Sequence, residues 1–135
     1  MKLFKLFLIT LPFMAILDFS WAAFFAHDFY ASQLGALISP HPIVWPLVLF
    51  YVIYSFAIAY FAVLPALRTH SFKLALWNGA LLGLTAYGTY DLVSYGITPG
   101  YTLAVTLVDI FWGVAVTKVV AAIAYGLGKK LVPLY

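Results

Sequence analysis

Four long apolar stretches, separated by short polar connections, make up most of the chain. Each holds about twenty residues or more, the length that an α-helix needs to cross roughly 30 Å of hydrocarbon. Apolar and polar residues do not alternate within them, as they would in the strands of a membrane barrel. The pattern predicts an all-α integral membrane protein, a four-helix bundle in which residues 1–135 form a single transmembrane domain. The predicted spans are about 3–25, 43–67, 74–96 and 101–127.

The connections between the spans determine how neighbouring helices meet. Residues 27–42 carry Phe29, Tyr30 and Leu34 along one side, so we expect a short interfacial helix between the first and second spans. The turn Thr98-Pro99-Gly100 is very short. The fourth helix must therefore return antiparallel to the third, as the second arm of a hairpin.

Composition agrees with a membrane location and excludes several classes of function. Hydrophobic residues make up 66% of the chain and charged residues 8%, whereas an ordinary globular chain is roughly half apolar and about a quarter charged. The seven basic residues sit singly or in pairs and form no stripe, so the expected partner is the lipid bilayer and not a nucleic acid. There is no cysteine, which excludes disulfides, thiol catalysis and thiolate metal sites.

The basic residues also predict an orientation. Six of them lie before the first span, between the second and third spans, or after the fourth span: Lys2, Lys5, Arg68, Lys73, Lys129 and Lys130. The 27–42 connection and the turn at 98–100 contain no lysine or arginine. Because short cytoplasmic segments are enriched in basic residues, we predict that both termini are cytoplasmic and that these two connections lie outside.

Three aspartates inside the predicted spans are the strongest candidates for chemistry. A carboxylate in hydrocarbon costs roughly 2.5 to 3.5 kcal/mol on insertion scales, so an intramembrane acid normally faces a partner or a wet cavity. At about 1.5 Å per residue, Asp18 and Asp109 lie about 14 Å, and Asp91 about 8 Å, below the outer helix ends. Crowded carboxylates repel one another, so part of the cluster is expected to be protonated at neutral pH.

Helical spacing places further polar and aromatic residues on the same inward faces. Tyr51 and Tyr54 reach a comparable depth on the second helix, while Tyr87 shares a face with Asp91 on the third. We predict an outward-opening cavity lined by carboxylates with aromatic walls. The candidate ligand-binding or ion-binding residues are Asp18, Asp91, Asp109, Tyr51, Tyr54, Tyr87, Trp21 and Trp112.

A structural interpretation of the same residues stays open. Asp18 and Asp109 would then only accept hydrogen bonds from neighbouring helices, each holding the bundle together by about 1 kcal/mol. No histidine falls in the aspartate layer, so no metal site is predicted there. His27, Asp28 and His41 are interpreted as interfacial polar residues in preference to metal ligands.

Three further patterns concern helix packing. Gly79 and Gly83 form a GxxxG pattern that permits close helix approach, either within the bundle or between two protomers. Asn78 is expected to make an interhelical hydrogen bond. Residues 16–21 resemble 107–112, and their opposite directions fit an inverted repeat, although coincidence is favoured over so few positions.

Several motifs in order along the chain resemble the bacterial DUF2177 family of predicted membrane proteins. They are Leu17-Asp18-x-x-Trp21, Phe29-Tyr30-x-x-x-Leu34-Gly35, Leu49-Phe50-Tyr51-x-x-Tyr54, Phe61-Ala62-Val63-x-Pro65-Ala66-Leu67, Tyr87-Gly88-Thr89-Tyr90-Asp91-Leu92 and Thr106-Leu107-Val108-Asp109-x-x-Trp112-Gly113. The resemblance implies one complete family member in the bacterial inner membrane, with Asp18, Asp91 and Asp109 in its hallmark motifs. One departure is Val93-Ser94, where the family usually has Thr-Asn.

A small inner-membrane binding or transport protein is the function that these features favour. The cavity would accept a cation, a proton or a lipid-like molecule, and transport by so small a chain would require a homodimer. One alternative is an enzyme acting on lipids of the outer leaflet, with paired aspartates as general acid and base and Tyr87 or Tyr90 as proton donor. Another alternative is an accessory subunit of a membrane complex. No cofactor is assigned.

Overall fold

The computed structural model describes residues 1–133, and every regular element in that range is a helix. The six α-helices are α1 (Lys2–Ser20), α2 (His27–Leu34), α3 (Val44–Ala57), α4 (Leu64–Arg68), α5 (Phe72–Ile97) and α6 (Leu103–Leu131). A wider π-helical turn, Trp21–Phe25, extends α1, and a second one, Ile58–Val63, joins α3 to α4 without a break. A short 3-10 turn, Gly35–Leu37, follows α2. The long helices begin and end within about one turn of the predicted spans.

Three of the four long helical stretches are both long and apolar enough to cross a membrane: Lys2–Phe25, Val44–Arg68 and Leu103–Leu131. Helix α5 is long enough at 26 residues, but polar residues such as Asn78 and Asp91 lower its mean hydropathy, and it is not one of the three. Many large apolar side chains are exposed on the outside of the bundle, as expected for a surface covered by lipid.

Hydroxyl side chains define where α5 and α6 begin. The Ser71 hydroxyl accepts a hydrogen bond from the backbone N–H of Leu74 at 3.1 Å, and the Thr102 hydroxyl accepts one from Val105 N–H at 3.2 Å. Such caps satisfy amides that have no partner within the helix. Between the two helices, Gly100 has φ +90°, a conformation that glycine adopts readily, and it closes the short turn.

Small residues bring α5 and α6 into close contact along most of their length. A Cβ atom on Gly79 would lie 2.9 Å from the Cβ of Ala121, and one on Gly83 would lie 2.3 Å from the carbonyl oxygen of Gly113. The GxxxG pattern therefore serves a contact within the chain. Of the two alternatives left open by the sequence, the contact inside the bundle is the one observed.

The apolar core fills one half of the bundle. At one end of this core, Leu6 of α1 and Leu67 of α4 both lie against Gly128 of α6. The start of α1 and the end of α6 are therefore at the same end of the bundle. Its fully buried side chains include Leu6, Ile58, Val63, Val116 and Val120. The opposite half, which holds the aspartates, is less densely packed with apolar groups and contains the candidate site.

Asn78 links α5 to the π-helical turn Ile58–Val63. Pro65 has no amide hydrogen, so it cannot donate to the carbonyl of Phe61 four residues earlier. The side-chain amide of Asn78 donates to that carbonyl at 3.1 Å. The interhelical hydrogen bond expected of Asn78 is confirmed, and the irregular backbone near Pro65 is its acceptor.

Candidate binding site

Asp18 accepts hydrogen bonds from three different helices. The Tyr51 hydroxyl of α3 donates to Oδ2 at 2.9 Å, whereas the Tyr87 hydroxyl of α5 and the Trp112 indole N–H of α6 donate to Oδ1 at 3.0 and 2.9 Å. The carboxylate is half-buried on α1. Neutral donors therefore surround Asp18 and fix its position, as the structural interpretation of this residue expects.

The two Asp-x-x-Trp motifs meet through their tryptophans. Trp21 and Trp112 stack with ring centroids 4.4 Å apart and planes inclined by 7°. Trp112 reaches Asp18 directly, whereas Trp21 donates to the Tyr30 hydroxyl at 2.9 Å, which itself donates to Asp109 Oδ1 at 2.8 Å. Each tryptophan is thus connected to the aspartate of the other motif, and the chain of donors through Tyr30 runs toward Asp109.

Asp91, on the neighbouring helix α5, adjoins Asp109 of α6. Its side chain is fully buried, and its Oδ1 accepts a hydrogen bond from the Tyr101 hydroxyl. The carboxyl group of Asp109 is within hydrogen-bonding range of the Asp91 carboxyl. Helices α2, α5 and α6 and the turn at 98–102 therefore converge on Asp91 and Asp109.

The two tyrosines that contact this pair lie outside the three apolar spans, on α2 and in the turn before α6. Burial, together with the nearby Asp109 charge, raises the pKa of Tyr30 well above its usual value. Burial and the hydrogen bond to Asp91 raise the pKa of Tyr101 in the same direction. Both hydroxyls therefore keep their protons at neutral pH and act as donors to the acids.

A pocket of about 510 Å³ lies between Asp18 and Asp109. This volume falls in the range of roughly 300–1,000 Å³ that is common for small-molecule sites. Its walls combine two carboxylates with aromatic and small apolar side chains. The lining residues are Asp18, Trp21, Ala22, Tyr30, Leu47, Phe50, Ala86, Tyr87, Tyr90 and Asp109.

One side of the pocket borders the outer surface of the bundle. Helix α5 packs against the Ile58–Val63 turn and α4 but makes little contact with α3. The lining residues on either side of this gap are largely exposed: Leu47 by 51%, Phe50 by 39% and Tyr90 by 65%. The gap between α3 and α5 therefore forms a lateral opening with an apolar and aromatic rim.

The predicted site residues fall into three positions relative to the pocket. Asp18, Asp109, Trp21 and Tyr87 line it, and Tyr51 and Trp112 bond to Asp18. Asp91 lies behind Asp109 and does not line the pocket. Tyr54 is also elsewhere, because its hydroxyl pairs with Thr117 Oγ1 at 2.6 Å within the core.

Two tyrosines near the acids, Tyr30 and Tyr101, were not predicted at the site, and a third, Tyr90, was named only as a proton donor in the enzyme alternative. Tyr30 and Tyr90 line the pocket, and Tyr101 bonds to Asp91. The sequence predicts only that Tyr101 begins the fourth span, whereas the short hairpin turn brings its hydroxyl to Asp91, ten residues earlier. The shortness of that turn is the sequence feature that could have placed Tyr101 near Asp91. Nothing in the local pattern of α2 indicates that Tyr30 reaches α6.

The polar residues of the 27–42 connection do not form a metal site in the described chain. His27 Nδ1 lies 3.2 Å from Asp28 Oδ1, and both side chains are exposed. The backbone N–H of His41 donates to the Ser39 hydroxyl at 3.1 Å. Within residues 1–133, no group of three or more histidine, cysteine, aspartate or glutamate side chains is arranged to hold a metal ion.

Comparison with known proteins gives a family and no further relative. The profile of the DUF2177 family, described as a predicted membrane protein, matches residues 3–126. No curated protein and no solved structure matches the chain.

Proposed function

The chain belongs to the DUF2177 family of predicted membrane proteins, and we propose that it binds an amphiphile with a positively charged, hydrogen-bond-donating head group. The head would lie between Asp18 and Asp109, and the apolar chain would extend through the opening between α3 and α5. The observation that carries this proposal is a pocket with two carboxylates in its wall and an apolar lateral rim.

The charge of the pocket favours a cationic head group. Every printed hydrogen bond to Asp18 and Asp109 comes from a neutral tyrosine or tryptophan side chain of the described residues. Asp109 accepts a single hydrogen bond from a described donor, Tyr30, which leaves acceptor capacity for a ligand. An ammonium group would supply both the missing positive charge and the donors.

The walls and the opening favour an amphiphile over a free ion. The indoles and phenol rings beside the carboxylates suit an ammonium group, because aromatic faces attract cations. The exposed rim of Leu47, Phe50 and Tyr90 suits an alkyl chain that stays in contact with lipid. A free cation would use the aromatic faces but not the apolar rim.

We also propose that α5 is a fourth membrane crossing, with both termini in the cytoplasm of a bacterium and the pocket in the outer half of the inner membrane. The length of α5, its packing along α6 and the basic residues at one end of the bundle support this arrangement. Because one chain holds this pocket at one end of the bundle, movement of a ligand across the membrane would need a second copy of the chain.

Tryptophan fluorescence offers a direct binding test. Trp45 and Trp77 are each 68% exposed, so replacing both with Phe leaves Trp21 and Trp112 as the reporters at the pocket. In phosphatidylcholine nanodiscs, we expect a primary amine with a brominated alkyl chain to quench these indoles more strongly than a phosphatidylcholine with the same brominated chain. Asp109→Asn should weaken amine binding by about tenfold or more, since a charge-assisted hydrogen bond contributes about 1.5–3 kcal/mol.

The matched control is Asp28→Asn, which removes the same charge at an exposed position outside the pocket. This variant should bind the amine like the native protein. Equal quenching by the two brominated probes in the native background, or equal amine affinity in the Asp109→Asn and Asp28→Asn proteins, would contradict the proposed function.

A further inference from the structure

Asp91 is 0% exposed, yet only one of its two carboxyl oxygens receives a proton donor from the described chain. Tyr101 donates to Oδ1, whereas the buried Oδ2 has no hydrogen-bond partner. The group within range of the Asp91 carboxyl is the carboxyl of Asp109, which is an acceptor when ionised. A buried acceptor without a donor is costly, so this contact needs a physical explanation.

A proton between the two carboxyl groups supplies that explanation. Two adjacent carboxylates cannot both remain charged in a buried site without strong repulsion, whereas one shared proton turns the contact into a hydrogen bond. The titratable groups facing the pair are Tyr101, Tyr30, Tyr90, Tyr87 and, across the pocket, Asp18. Within residues 1–133, no lysine, arginine or histidine forms an ion pair with either acid.

We propose that Asp91 and Asp109 hold one proton between them, and that a cationic ligand bound at Asp109 releases this proton. The inference rests on the proposed function, because Asp109 is the member of the pair that lines the pocket. When the ammonium head arrives, one carboxyl O–H bond breaks and the proton passes to water. One positive charge enters the site and one leaves it, so the buried charge is unchanged and no electron transfer is involved.

This exchange predicts how binding depends on pH. The ligand competes with one proton, so amine affinity should rise by about tenfold per pH unit while the pair is protonated. In Asp91→Asn, the side chain at position 91 no longer titrates, and its amide can donate to Asp109. Amine binding by this variant should then lose the steep pH dependence and release no proton.

Infrared spectroscopy of the protein in nanodiscs tests the shared proton without any ligand. A protonated carboxyl group gives a C=O stretching band that shifts in D2O. We expect this band in the native protein at neutral pH and in Asp28→Asn, but not in Asp91→Asn or Asp109→Asn. Adding a long-chain primary amine to the native protein should remove the band, and a pH-indicator dye should record about one proton released per amine bound.

Each other outcome has a definite meaning. Absence of the band from the native protein would overturn the shared proton, whether or not the amine binds. A band that persists while tryptophan quenching shows bound amine would overturn the exchange and leave the proposed function standing. If the band is present but the amine does not quench Trp21 and Trp112, the proposed function fails, and the exchange fails with it.

Discussion

Asp18 and Asp109 occupy the same position in two similar motifs, but their surroundings differ. Asp18 accepts hydrogen bonds from Tyr51, Tyr87 and Trp112, whereas Asp109 accepts one from Tyr30 and adjoins a second acid. A carboxylate with three donors is held in a single orientation. Asp18 therefore serves both as a structural junction and as a fixed charge in the pocket wall, and Asp109 is the group with capacity for a ligand.

The donors to Asp18 should contribute measurably to stability. Tyr51→Phe removes the hydroxyl that bonds Asp18 Oδ2 and keeps the ring, so we expect a loss of about 1.5–3 kcal/mol, the usual contribution of a hydrogen bond to a charged group. The control is Tyr60→Phe on the same helical stretch, where the tyrosine is 48% exposed and contacts Phe56 and Phe61 through its ring. Equal thermal unfolding temperatures for the two variants in detergent would contradict the role assigned to Asp18.

At the scale of elements, the closest packing is between α5 and α6. The glycines of α5 allow its backbone to approach α6, and Tyr87 occupies the space left by the missing side chain of Gly113. This contact determines where Tyr87 and Asp91 stand relative to α6. The close helix pair thus positions one donor to Asp18 and the acid that neighbours Asp109.

Substitutions at two glycines of α5 should distinguish the effect of close packing on stability from the effect of helix propensity. Gly83→Ala would place a Cβ 2.3 Å from a backbone oxygen of α6, which forces the helices apart, and we expect destabilisation of about 1–3 kcal/mol. Gly96→Ala, in the same helix with nothing within 4 Å of the added Cβ, should leave stability unchanged or slightly raise it. Thermal unfolding of both variants checks this, and similar losses would refute the packing argument.

At the scale of the whole molecule, α5 decides whether the chain crosses the membrane three or four times. The chain contains no cysteine, so single cysteines can be introduced without altering other residues. We expect Thr69→Cys and Thr98→Cys, at opposite ends of α5, to react with a membrane-impermeant maleimide from opposite sides of the membrane. Labelling of both from the same side would show that α5 does not cross.

The helices and their inward faces could be predicted from the sequence, because hydrophobic periodicity depends only on the local order of residues. It predicted that Tyr87 and Asp91 lie on the inward side of α5, and both are at least half-buried there. It did not predict Tyr30 against Asp109 or Asp91 behind it. Those contacts depend on how α2 folds across the end of the bundle and how closely α5 approaches α6, which are properties of three-dimensional packing.

The same limit explains the lateral opening. A helical pattern places Leu47 and Phe50 on α3, but it does not reveal that α3 makes little contact with α5 while the Ile58–Val63 turn packs against it. The opening is consequently a feature of the folded bundle that the spacing of residues could not predict.

The central claim is that a cationic amphiphile enters the pocket between α3 and α5, and closing that gap tests it most directly. Leu47→Cys and Tyr90→Cys place two thiols on opposite sides of the opening, in a chain with no other cysteine. A short, reducible bis-thiosulfonate reagent would bridge them, and the single variant Leu47→Cys treated identically is the control.

The readout is quenching of Trp21 and Trp112 by the brominated alkyl amine in the Trp45→Phe, Trp77→Phe background. We predict that the bridge abolishes quenching in the double-cysteine protein, that a reductant restores it, and that the single-cysteine control is quenched throughout. Undiminished quenching of the bridged protein would contradict entry through this opening and, with it, the central claim.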